Sequence, residues 1–307
     1  MKTLRNTLDD YLQMRRSLGF KLAKEGVRLP KFLAFMQERK ARFITTTLAL
    51  DWALQSTGPR GPLNKLKIVR GFAKYLSALD PRTEIPAASL LPWRYVRPRP
   101  YLYSEDEIRR LLEAAATWSS REQPRGRYYC LFGLLAVSGL RVGEAINLEI
   151  QDVDLKQRIL TIRESKFGKS RFVPIHPTTA RQLRKYKVRR DEFLAGHPSP
   201  YFFISRNGTK VFNSDVNRVF TLVSVKAGVR NSTSGKGPRP HDFRHTFAVR
   251  TLIRWYESGA DVERRLPALS TFLGHVCVRN TYWYLTEHPE LMRLAVQRLD
   301  LRWEGHS

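Results

Sequence analysis

Pro240-His241-Asp242-Phe243-Arg244-His245 puts a proline at a helix start, with a histidine and an arginine three residues apart on one face behind it. Two further stretches belong with it. Downstream, Leu273-Gly274-His275 is followed nine residues later by Tyr284, within Asn280-Thr281-Tyr282-Trp283-Tyr284-Leu285. Upstream, Ser138-Gly139-Leu140-Arg141-Val142-Gly143-Glu144 sets an arginine just past a glycine break in the otherwise apolar segment Leu131 to Leu148. Between them, the β-rich runs Arg158 to Glu164 and Arg171 to His176 flank Lys166-Phe167-Gly168-Lys169, a hairpin signature. Ser104 with Glu107 forms a capping box ahead of Ile108, Leu111 and Leu112, and further helices are expected from Thr178, Ser214, His241, Leu266 and Glu290. The pattern predicts a mainly α protein with a small antiparallel β-sheet.

The N-terminal part differs in kind. Leu4, Leu8, Tyr11 and Leu12, then Leu29, Phe32, Leu33 and Met36, then Leu63, Leu66, Val69, Phe72 and Leu76 recur at helical spacing. Pro81, Pro86, Pro92, Pro98 and Pro100 follow, with Arg94, Arg97 and Arg99 between them. The expected division is a helical DNA-binding domain over 1–80, a basic Pro-rich linker over 81–100, and a catalytic α+β domain over 101–307 that ends in a helix at 290–301.

The charge points to the partner. The chain of 307 residues carries 54 Lys and Arg against 28 Asp and Glu, a net charge of +26. Residues 1–100 hold 20 of the basic and 7 of the acidic residues, so both parts are basic. Each phosphate neutralised by such a surface releases condensed counterions, which favours a polyanion. Cys130 and Cys277 are too few for a zinc cluster or a disulfide framework, so a reducing compartment is expected. Tyr128 to Leu140, the longest apolar run, is too short to span a bilayer. No signal-peptide pattern opens the chain, and a cytoplasmic protein without membrane partners is expected.

Attack on a phosphodiester builds negative charge on two non-bridging oxygens. Guanidinium groups bind such oxygens bidentately and stay charged, and histidines add donors. A tyrosine hydroxyl can serve as nucleophile, giving a covalent intermediate that conserves the bond for resealing. A lysine on a hairpin tip can protonate the departing 5′ oxygen. This chemistry needs no metal or nucleotide cofactor.

In this order and spacing the segments resemble the tyrosine recombinase (phage integrase) family over about Tyr101 to Leu285. That family shows an arginine after an S/T-G-L/M-R motif, a hairpin lysine, H-x-x-R, L-G-H, and a tyrosine nine residues on. The resemblance implies Arg141 and Arg244 as phosphate clamps and Lys166 as general acid. It implies His241 and His275 as activating or phosphate-binding histidines, Tyr284 as nucleophile, and Glu144 in support. It further implies a site-specific DNA recombinase of a mobile element that acts on double-stranded DNA in the nucleoid as a homo-oligomer, a tetrameric synapse. Lys169 competes with Lys166, although the distance from the Arg171-Phe172-Val173-Pro174 strand favours Lys166. Tyr282 competes with Tyr284, but the two lie about 200° apart round a helix and the spacing from His275 favours Tyr284.

The stripe Leu291, Leu294, Ala295, Arg298 and Leu299 fits docking on a neighbouring subunit and packing on its own domain equally well. Three other functions compete: a type IB topoisomerase with the same chemistry, a non-catalytic DNA-binding relative, and a zinc hydrolase built on His241 and His245. The last has Asp242 where the H-E-x-x-H pattern needs glutamate, and Arg244 between the ligands would repel a dication.

Overall fold

The computed structural model describes residues 3–58, 60–91, 99–118, 124–163, 170–231 and 237–304. The chain divides into two compact units, Met1–Arg97 and Pro98–Ser307. Residues 92–98 of the expected linker lie outside the described residues.

The first unit consists of α1 (Leu4–Ser17), α2 (Ala23–Glu38), α3 (Thr46–Leu54) and α4 (Gly61–Leu76). The periodic leucines and aromatics meet in one core that includes Leu8, Tyr11, Leu29, Phe32, Trp52 and Phe72. Burying these apolar faces against one another is what holds such short helices together. Helix α3 has no counterpart among the expected elements. It is short, but Thr45 caps it by accepting a hydrogen bond from the Leu48 N–H, and Trp52 anchors it in the core.

The second unit runs α5 (Glu105–Ala116), α6 (Arg127–Ser138), α7 (Val142–Ile146), a 3-10 turn at Ile150–Asp152, and strands β1 (Val153–Asp154), β2 (Ile159–Ile162) and β3 (Arg171–Pro174). Helices α8 (Pro177–Leu194), α9 (Asn213–Lys226), α10 (Asp242–Glu257), α11 (Val262–Leu273), α12 (Arg279–Glu287) and α13 (Pro289–Glu304) complete it. The strands form one antiparallel sheet in the order β1-β2-β3, with Ile162 opposite Arg171 where β2 leads into the connection to β3. The fold is thus mainly α with a small antiparallel sheet, as expected. The Ser104–Glu107 capping box is present at the start of α5.

Two cores organise this unit. Tyr103, Phe132, Phe220 and Phe243 form an aromatic cluster between α5, α6, α9 and α10. A second cluster joins Leu252 of α10 to Leu266 and Leu273 of α11, Tyr284 of α12 and Leu291 of α13. Helix α13 therefore packs on its own chain, and the Arg298 guanidinium adds a hydrogen bond to the Ala260 carbonyl. Among the described residues, no helix is long and apolar enough to cross a membrane.

Candidate active site

Two helix ends build the floor of the site. Helix α6 stops at Gly139 and α11 stops at Gly274, both glycines in the left-handed conformation with φ of +60° and +66°. A side chain at either position would be strained and would collide with its neighbours: Cβ would meet the Phe247 ring at 2.7 Å at Gly139, and the Arg171 guanidinium at 2.5 Å at Gly274. The carbonyls at these ends lack helical partners and form the negative pole of each helix. The arginines take them. Arg244 donates to Gly139 O (2.9 Å) and Leu273 O (2.6 Å), and Arg141 donates to Gly274 O (2.9 Å). The glycines of the two motifs thus orient the arginines as well as turning the chain.

Glu144 links a third arginine to the floor. Its carboxylate accepts from Arg141 Nη1 at 2.6 Å and from Arg171 Nη2 at 2.8 Å, and Arg171 also donates from Nε to Phe272 O at 2.8 Å. Glu144 and Arg171 are both buried. Burial alone would raise the Glu144 pKa, but the Arg171 hydrogen bond and charge, with help from Arg141, outweigh it and hold the carboxyl below the usual glutamate value.

Two guanidiniums, those of Arg141 and Arg171, therefore share one carboxylate. Arg244, 2% exposed, donates to two carbonyls, and no carboxylate pairs with it among the described residues. Burial, then the nearby Arg141 charge, brings its pKa down to about 10, so it stays cationic at neutral pH. A buried cation with no carboxylate in direct contact is costly, and an anion seated beside it would relieve that cost.

The histidines and the tyrosine stand around this positive floor. His241 caps the start of α10 and is exposed as a residue, yet the protein crowding its ring, and secondly the Arg244 charge, lower its pKa below the ordinary histidine value. His275 follows the α11 stop, with Nδ1 2.8 Å from the hydroxyl of Thr281. Its ring stacks over Tyr284 at 6.2 Å and 21°. Tyr284 is 3% exposed and also touches the rings of His245 and Trp283, whereas Tyr282 points outward and is 48% exposed. Arg141, His241, Arg244, His275 and Tyr284, distant in sequence, thus come to one place. Lys166 and its competitor Lys169 lie outside the described residues; Arg171, the first residue of β3, lies within the site.

Arg171 and Thr281 are site residues that the sequence reading did not single out. Arg171 reads as an ordinary strand residue, and its partners lie 27 and 101 positions away. A signal for Thr281 does exist: it sits three residues before Tyr284, on the same helix face. The hydrolase alternative fares poorly. Asp242 is buried, with its carboxylate on the backbone N–H and guanidinium of Arg239.

Comparison with known proteins gives a consistent picture. The sequence profile of the phage integrase family matches residues 102–290. An integrase/recombinase of Sinorhizobium fredii, y4rB, is 50% identical over 100% of both chains. Among solved structures, XerA recombinase aligns with a TM-score of 0.51 at 25% identity, covering 96% of this chain and 98% of that one. A lambda integrase tetramer bound to a Holliday junction aligns at 0.60 and 18% identity, covering 92% of this chain and 77% of that one.

Proposed function

The chain belongs to the phage integrase family, the tyrosine recombinases, and from that premise we propose that Arg141, His241, Arg244, His275 and Tyr284, with Lys166, form its strand-cleavage site. The protein is a DNA strand transferase that cleaves and rejoins DNA in site-specific recombination. The observation that carries the site assignment is Arg244, a buried guanidinium set on helix-end carbonyls beside Arg141. A scissile phosphate is the anion that such a floor suits.

In this reading Arg141 and Arg244 bind the non-bridging oxygens and hold the charge that grows in the transition state. His241, whose lowered pKa favours the neutral ring at pH 7, and His275 add ring N–H donors. Tyr284 passes its phenolic proton to the neutral His241 ring and attacks phosphorus, a 3′-phosphotyrosyl bond forms, and the bond to the 5′ oxygen breaks as Lys166 protonates it. A 5′ hydroxyl from the partner duplex reverses the step. Tyr284 is buried, so α12 shifts before attack to bring the phenol onto the phosphate. Strand exchange between two duplexes calls for a homo-oligomer on double-stranded DNA, and the lambda integrase tetramer offers the precedent for a four-subunit synapse. The full-length similarity to an integrase/recombinase favours exchange over simple DNA relaxation, and the reading extends to a mobile-element role on DNA at the cytoplasmic nucleoid.

The test is a duplex carrying a nick near the cleavage site, incubated with the protein in chelator. A denaturant-resistant protein–DNA band is expected from wild type and from Tyr282→Phe, and none from Tyr284→Phe. An adduct that survives Tyr284→Phe and is lost in Tyr282→Phe would overturn the assignment.

A further inference from the structure

Thr281 has no assigned role, yet it is wholly buried and its hydroxyl lies 2.8 Å from His275 Nδ1. We propose that Thr281 is a positioning residue, which holds His275 with a ring N–H aimed at the phosphate and ties that histidine to the helix carrying the nucleophile. The inference rests on the reading of His275 as a phosphate-facing group.

A neutral imidazole has one N–H donor and one bare nitrogen acceptor. To stabilise developing negative charge, His275 must present a donor on Nε2, which leaves Nδ1 bare. Only a donor can satisfy a bare Nδ1, and a threonine hydroxyl is one. Should the ring become protonated, the same hydroxyl can turn and accept, so the contact serves both charge states. The β-branched side chain restricts χ1 and keeps the hydroxyl in place.

Thr281 and Tyr284 lie three apart on one face of α12, and the His275 ring spans both, bonded to one and stacked on the other. One helix face therefore sets the pose of histidine and nucleophile together. A shift of α12 that frees the phenol also acts on the imidazole.

Thr281→Val keeps the branched shape and removes the hydroxyl, while Thr281→Ser keeps the hydroxyl. The readout is single-turnover adduct formation on the nicked duplex at saturating protein, with DNA affinity measured alongside. Thr281→Val is expected to slow cleavage by about tenfold to a hundredfold, the size of effect known for removing the partner that orients a metal-ligating histidine. Affinity should stay within about twofold, because DNA binding rests mainly on contacts to phosphates elsewhere. Thr281→Ser should recover most of the rate. Cleavage by Thr281→Val at the wild-type rate, or a serine variant as slow as the valine one, overturns the proposal.

A second measurement needs no variant to fold. In wild-type protein labelled with 15N-histidine, at a pH above the histidine range, the His275 ring should appear as the tautomer protonated on Nε2. Protonation on Nδ1 would overturn the proposal. The two readings fail separately: an adduct that persists in Tyr284→Phe breaks the site assignment, whereas loss in Tyr284→Phe with full speed in Thr281→Val breaks this inference alone.

Discussion

Glu144 is one carboxylate between two guanidiniums, and most of the floor's geometry passes through it. Replacing it with glutamine leaves Arg171 buried without its counter-charge, a change that typically costs about 3–5 kcal/mol. The pH dependence has a definite sign. Glu144 has a depressed pKa in the folded state, so its contribution is complete above the ordinary glutamate value near 4.5 and is lost as pH falls through the lower folded-state value. Denaturant titrations of wild type and Glu144→Gln should therefore differ most at neutral pH and converge in acid; a gap that stays constant with pH would contradict the ion-pair account. At this scale the sequence is legible where chemistry is local. His241 and Arg244 are readable because a three-residue step defines a helix face. Arg171 is not, because its partners reach it only through the tertiary fold.

Helix ends do more in this site than helix bodies. Gly274 stops α11, leaves its carbonyl to Arg141, and makes room for Arg171. Gly274→Ala should lower stability by more than the ~1 kcal/mol cost of its backbone conformation, because the new methyl meets a guanidinium fixed by Glu144 and Phe272 O. Gly143→Ala in α7 is the matched comparison. Its Cβ meets nothing within 4 Å and its φ is ordinary, so stability should hold or rise. Equal melting temperatures for the two variants would show that Gly274 has no such role. Most elements of this kind were legible: the break at Gly139, the capping box at Ser104 and the β2–β3 hairpin all follow from local rules. Helix α11 was misjudged at its start. Pro267 suggests a beginning near Leu266, but the helix starts at Val262 behind the Asp261 cap and carries the proline within it. The packing of Val262, Leu266 and Leu269 offsets the one lost backbone bond.

At the scale of the whole molecule, a net charge of +26 spread over both parts of the chain sets the terms of DNA binding. Each phosphate contact should contribute about −0.9 to the slope of log K against log salt. For several contacts, affinity should fall about a thousandfold or more between ~50 and ~200 mM salt, measured by titrating a labelled duplex. Binding that ignores salt would contradict an electrostatic footprint. The sequence left one architectural question open, the placement of the C-terminal stripe. An amphipathic helix fits its own domain and a neighbour's alike, and only coordinates show Leu291 of α13 seated in the core beside Leu252 and Leu273. In the proposed reaction one buried phenol becomes the covalent link to DNA. Digesting the adduct formed on a nicked duplex and sequencing the nucleotide-bearing peptide by mass spectrometry tests it most directly. The nucleotide is expected on Tyr284; a nucleotide on Tyr282 or on any other residue would overturn that assignment.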